Sequence, residues 1–221
     1  MKRIIISDLH IGSKHYKAKE LLDFLKKAEY DELILAGDII DFIKIPSFSE
    51  HAIDIFEAID YNKSIIYVVG NHDLSFEKFV GKEFFGIKFC KKYEFEDGGR
   101  KFRIEHGDKY DKGLVNYRFF MQMLSIIHDW FERRLNWDIT SWYVKYKIKK
   151  RKLIRIWDIL KWNSDIDVLI MGHSHCPEAI IWVDKNETIK TYVNCGDWVS
   201  SKTWVSISNG VVRLRTQKVE K

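Results

Sequence analysis

Five short strings carry groups that bind hard and borderline cations: Asp8-Leu9-His10, Gly37-Asp38 followed by Asp41, Gly70-Asn71-His72-Asp73, His106-Gly107-Asp108 and Gly172-His173-Ser174-His175. Together they hold five Asp, one Asn and five His. Carboxylate with imidazole suits a pair of divalent ions, and paired ions suit hydrolysis of a phosphoester. Such chemistry needs one carboxylate able to touch both ions, further O and N ligands, open water positions and a proton donor for the leaving oxygen. Asp8 and His10 are two residues apart, so at an extended strand end both side chains face one side. His173 and His175 repeat that spacing after Val168-Leu169-Ile170-Met171.

Each string follows an apolar, β-branched run, and strand ends are where α/β proteins assemble sites from distant sequence. Lys2 to Ser7, Glu32 to Ala36 and Ser64 to Val69 read as strands. Helical periodicity covers Ala18 to Ala28, and Ser49 is a candidate N-cap for a helix through Ala58. This alternation predicts parallel βαβ units, and the continuous apolar strands predict a sheet covered on both faces. Tyr93 to Glu96 and Lys101 to Glu105 flank Asp97-Gly98-Gly99 as a hairpin. Ala179 to Val183, Thr188 to Val193, Thr203 to Ile207 and Val211 to Thr216 form another strand set.

Between His106 and His173 two amphipathic helices are expected, Lys112 to Leu135 and about Trp142 to Leu160. No ligand string falls inside this segment, so it reads as a cap inserted at about 110–163 into a single domain spanning 1–221.

The 221 residues and 46% hydrophobic content support one sizeable core. No apolar stretch spans a bilayer, and Ile4-Ile5-Ile6 is too short for a signal peptide. Three cysteines without zinc-finger spacing fit a reducing cytoplasm. A net charge of +5 is compatible with an anionic substrate, nucleic acid or an anionic membrane surface, and does not choose among them.

The ordered strings D-x-H, G-D-x-x-D, G-N-H-D, H and G-H-x-H resemble the calcineurin-like metallophosphoesterase superfamily. The resemblance implies an α/β fold, a four-layer αββα sandwich of two mixed sheets with a helical cap insertion. It implies two divalent metal ions, manganese first, with iron(II) or zinc as alternatives. Asp8, His10, Asp38 and His175 would bind one ion, and Asn71, His106 and His173 would complete the second, with Asp38 bridging. A metal-bridging hydroxide would attack, and His72 would protonate the leaving oxygen. Asp41, Asp73 and Asp108 would support these groups from behind, with Asp73 orienting His72.

The strings around His106 and after His175 are similar to UDP-2,3-diacylglucosamine pyrophosphatases, whose cap contributes an acyl-chain pocket. The resemblance implies a nucleotide-linked lipid as substrate and peripheral contact with the inner face of the membrane. The best-known proteobacterial members carry Arg where this chain has His72. Candidate substrate contacts are Trp130, Lys149 and Arg151 in the insert, and Asp197 and Trp198 after the last string. The basic run Lys145 to Arg155 equally fits the wet face of two packed helices. Two other functions stay open: a nuclease or cyclic-nucleotide phosphodiesterase on the same scaffold, and a noncatalytic metal-binding interaction module. The oligomeric state is not legible.

Overall fold

The computed structural model describes residues 1–13, 16–42, 50–110, 159–161 and 163–217. In chain order the strands and α-helices are β1 (Lys2–Ile6), α1 (Ala18–Lys27), β2 (Glu32–Ala36), α2 (Glu50–Glu57), β3 (Ser64–Val68), β4 (Glu83–Phe84), β5 (Ile87–Cys90), β6 (Lys92–Asp97), β7 (Arg100–Glu105), β8 (Val168–Met171), β9 (Glu178–Val183), β10 (Ile189–Asn194), β11 (Thr203–Ser208) and β12 (Val211–Thr216). Short 3-10 helices cover Leu74–Phe79 and Asp108–Tyr110.

The strands form two mixed sheets, as expected. The first has the order β12-β11-β1-β2-β3-β5-β4, the second β6-β7-β8-β10-β9. Neighbours from β1 to β5 run parallel, and β8 runs parallel to both β7 and β10. Alternate residues of the continuous apolar strands fill two different cores. Ile5, Ile34, Ile66 and Val68 pack with Phe102, Ile104, Val168 and Ile170. Ile4, Ile6, Leu33, Leu35 and Ile65 pack with Leu21, Phe24 and Leu25 of α1 and with Ala52 and Ile55 of α2. Both faces of β1, β2 and β3 are thus dry, which is why their sequences read as unbroken apolar runs.

Two features depart from the sequence reading. The expected C-terminal strand set is divided between the sheets: β9 and β10 lie in the second, whereas β11 pairs antiparallel with β1 in the first. That register sets Val205 opposite Ile5 and brings Val205 and Ile207 into the core shared with the second sheet. The β4–β5 hairpin, with a two-residue first strand, is too short for periodicity to register.

The chain forms two compact units, Met1–Gly107 with Asp165–Lys221, and Asp108–Ser164. In the second unit, Asn163 Nδ2 donates to Tyr110 Oη at 2.9 Å and to the Ile159 carbonyl at 2.7 Å. The two expected cap helices, with Trp130, Lys149 and Arg151, lie outside the described residues, apart from a helical turn at 159–161.

Candidate metal centre

The five strings leave the sheets in step: Asp8 after β1, Asp38 after β2, Asn71 after β3, His106 after β7 and His173 after β8. Five of their residues adopt left-handed backbone: Asp8 (φ +54°), His10 (+49°), Asp38 (+55°), His173 (+64°) and His175 (+56°). Side chains other than glycine rarely accept this conformation, and such strain concentrates at functional sites. Close strand approach explains one glycine. A Cβ at Gly172 would collide with Ser7 Oγ and Asp8 Oδ2.

One donor set is Asp8, His10 and His175, whose ligand atoms lie within 4.8 Å of one another. Asp8 Oδ2 accepts Ser7 Oγ at 2.6 Å and the His173 N–H at 3.0 Å. Asp8 Oδ1 is buried and accepts no hydrogen bond. It lies 3.3 Å from His175 Nε2, which is itself 3.3 Å from His10 Nε2. His175 donates through Nδ1 to Asp197 Oδ2 at 3.1 Å, so the neutral ring aims a lone pair at the other donors.

The second set is Asp38, His106 and His173, with Asn71 against it. His106 must carry its proton on Nδ1, which lies 3.0 Å from the Ala36 carbonyl, an acceptor only. Its Nε2 faces Asp38 Oδ2 and Asn71 Oδ1, each at 3.1 Å. Acceptors converge here on acceptors, and only a proton or a cation between them relieves the repulsion. The electrostatics agree. Burial alone would raise the Asp38 pKa, yet His106 and His72 hold it well below the usual carboxylate range. Burial opposes charge on His175, but Asp8 and Asp197 keep its pKa raised. Burial, with His72 and His175 nearby, depresses His10 to about 4. These residues fit divalent cations: hard oxygens and neutral imidazoles directed inward from a dry wall.

His72 stands beside both sets and, with His10 and Asp41, forms a third group whose ligand atoms lie within 4.8 Å of one another. Its backbone N–H donates to Asp38 Oδ1 at 2.8 Å, and its Nε2 lies 3.9 Å from Asp38 Oδ2. The group that orients it is Asp41, whose Oδ1 lies 2.9 Å from His72 Nδ1. This corrects the expectation that Asp73 does so. Asp73 points the other way, accepting the backbone N–H groups of Ile39, Ile40 and Gly70, and so pins the loop after β2 to the loop after β3. Burial opposes charge on His72, but Asp38 and Asp41 outweigh it and lift its pKa to about 9. Asp41 Oδ2 is also 3.9 Å from His10 Nδ1. Asp108 opens the short helix that begins the second unit.

The two described substrate candidates are placed otherwise than expected. Trp198 is fully buried and packs on Phe24 at 4.9 Å, so it presents no face to a substrate. Asp197 is 1% exposed and sits behind His175. Its Oδ1 accepts the N–H groups of Val199, Ser200 and Ser201, a turn that leaves Oδ2 for the imidazole. Sequence reasoning also missed Ser7 and the Ala36 carbonyl. Neither residue type signals a site, although each directly precedes a string.

The calcineurin-like phosphoesterase family model matches residues 1–177, and the chain belongs to that family. It is a metal-dependent phosphoesterase. Among curated proteins it is similar to the UDP-2,3-diacylglucosamine hydrolase of Vibrio cholerae serotype O1, 24% identical over 233 residues that cover 92% of this chain and 93% of the relative. Among solved structures it is similar to Vps29 of Chaetomium thermophilum, at a TM-score of 0.55 and 12% identity, covering 96% of this chain and 86% of that one. Vacuolar Protein Sorting 29 of Cryptosporidium parvum gives a TM-score of 0.50 and 14% identity, covering 97% and 95%. These structural likenesses speak to the fold.

Proposed function

We propose that the chain uses two divalent ions, manganese in preference to iron(II) or zinc, to hydrolyse a pyrophosphate or phosphoester bond in a nucleotide-linked lipid. The observation that carries the two-ion reading is the pair of inward-facing donor sets, knitted together where the His173 N–H meets Asp8 Oδ2. Asp8, His10, Asp38 and His175 would hold one ion; Asp38, Asn71, His106 and His173 would hold the other. Ions there would polarise the phosphoryl group and the attacking water. His72, fixed by Asp41, would give its proton to the leaving oxygen.

The lipid-linked substrate is supported by the near full-length match to a UDP-2,3-diacylglucosamine hydrolase. Work in the cytoplasm is supported by three free thiols, and among the described residues no helix is long and apolar enough to cross a membrane. Purified protein with manganese should release UMP from UDP-2,3-diacylglucosamine. His72→Ala should lose about 10²–10⁴-fold in turnover and keep its metal. Absence of turnover on any phosphoester with any divalent metal would defeat the reading. Cleavage of DNA or RNA in its place, with salt-dependent binding, would select the nuclease.

A further inference from the structure

The β4–β5 hairpin turns on Phe85-Gly86, with φ of +50° and +73°. Two-residue turns with both residues left-handed strongly favour Asn-Gly, because a bulky side chain at the first position crowds the backbone. The aromatic ring finds no burial there. Phe85 is 80% exposed and Phe84 50%. The two rings lie 4.3 Å apart, and Phe84 stacks on Phe79 at 5.6 Å with 14° between planes. Three lysines flank them, Lys78, Lys82 and Lys88, against Glu83 and Glu77, the latter already paired with Lys91 at 3.0 Å. Lys78, Lys82 and Lys88 are all exposed.

We propose that this hairpin tip docks on an anionic lipid surface, with Phe84 and Phe85 entering the interfacial region and Lys78, Lys82 and Lys88 meeting the headgroups. Aromatic rings gain from the headgroup boundary what water denies them, and lysines at that depth are attracted by the negative leaflet. The positive balance of the flanks complements that surface. The tip is remote from the metal centre along the strand. Ile87 pairs with Ile65 at the start of β3, whereas Asn71 follows its far end, about 17 Å away for five residues. The inference therefore stands apart from the hydrolase reading.

The test is sedimentation of the full chain with vesicles of phosphatidylglycerol in phosphatidylcholine. Wild type should co-sediment, and about 0.5 M salt should release it. Phe85→Asn installs the residue the turn prefers, so its Tm should equal or exceed wild type by about 2–4 °C, while vesicle partition falls at least about tenfold. Lys82→Glu with Lys88→Glu should weaken binding with the fold intact. Hydrolysis of a soluble aryl phosphodiester should be unchanged in all variants. Failure of wild type to sediment with anionic vesicles, or wild-type binding by a folded Phe85→Asn, would overturn the proposal.

Discussion

Strands β1, β2 and β3 carry polar groups at both ends, and the two ends treat them in opposite ways. At the starts, Arg3 Nε donates to Glu32 Oε1 at 2.8 Å and a second guanidinium nitrogen to Asp97 Oδ2 at 2.6 Å. The guanidinium also lies 4.0 Å over the Phe95 ring. Glu32 Oε2 accepts Ser64 Oγ and Tyr93 Oη, both at 3.0 Å, and Asp97 Oδ1 accepts the Gly210 N–H at 3.0 Å. Every carboxylate oxygen meets a donor, and the partners come from both sheets. At the far ends, Asp8, Asp38 and Asn71 are as deeply buried as Glu32, yet Asp8 Oδ1 accepts nothing and His106 Nε2 faces two oxygens. Five residues of the far-end strings have left-handed backbone, and none of Arg3, Glu32 or Ser64 does. Burial of charge therefore does not mark a site. Saturation separates the two: a complete set of partners makes a brace between sheets, and an incomplete one makes a receptor for cations.

The sharpest way to break this distinction is Asp38→Ala. If the far end is a receptor, the variant should lose at least about 10³-fold in turnover and bind fewer ions by elemental analysis, while circular dichroism still reports a folded chain. Retained turnover would reduce the far end to a second brace.

Glu32→Ala is the converse. It takes from the buried Arg3 guanidinium one of its two carboxylates, and from Ser64 Oγ and Tyr93 Oη their shared acceptor, at a cost of about 3–5 kcal/mol. Thermal unfolding should move down by about 6–20 °C in a chain of this length. Specific activity of the folded protein should stay within about twofold, because the two ends share no partner. A selective loss of turnover would show that the brace also shapes the site.

These two ends were not equally legible. The far end is written in contiguous strings, because each strand delivers its ligands within a few residues of its last apolar position. The near end has no string at all. Arg3, Glu32, Tyr93 and Asp97 are scattered across the chain, and only the pairing of β1 with β2 and the packing of β6 above them bring them together. Pairing also explains the misreading of Asp73. Adjacency in sequence favours it as the partner of His72, but Asp41 arrives from the neighbouring strand end and takes that place. The sheet membership of β11 and β12 is similarly nonlocal, since their alternation fits either sheet. Trp198 sits beside a functional Asp and yet packs into the core under α1, against Phe24.

Asp197→Asn sharpens the comparison from within the far end. Asparagine keeps an oxygen for the turn at Val199 to Ser201 but sets an N–H donor against His175 Nδ1. The imidazole must then move its proton or rotate, either of which withdraws the Nε2 lone pair from the ligand position. Metal affinity by chelator competition should fall about 10–100-fold with little change in Tm. An unchanged affinity would make Asp197 a turn residue only.

The smallest effect is a titration, and it separates the ends without a mutation. In protein stripped with EDTA, the His72 resonances should titrate near 9 and those of His10 near 4. Because the folded pKa of His72 stands above the unfolded value of 6.5, its contribution to stability is complete below pH 6.5 and is lost as pH rises through about 9. Tm of the stripped protein should therefore decline across that window. A diamagnetic divalent ion such as zinc, placed among these donors, opposes the charge on His72, lowers its pKa and flattens the decline. Glu32→Ala should keep the same pH dependence at a lower Tm, since the Arg3 brace contains no histidine. If zinc leaves both titrations where EDTA put them, the inward-facing donors hold protons, not cations, and the two ends differ in charge alone.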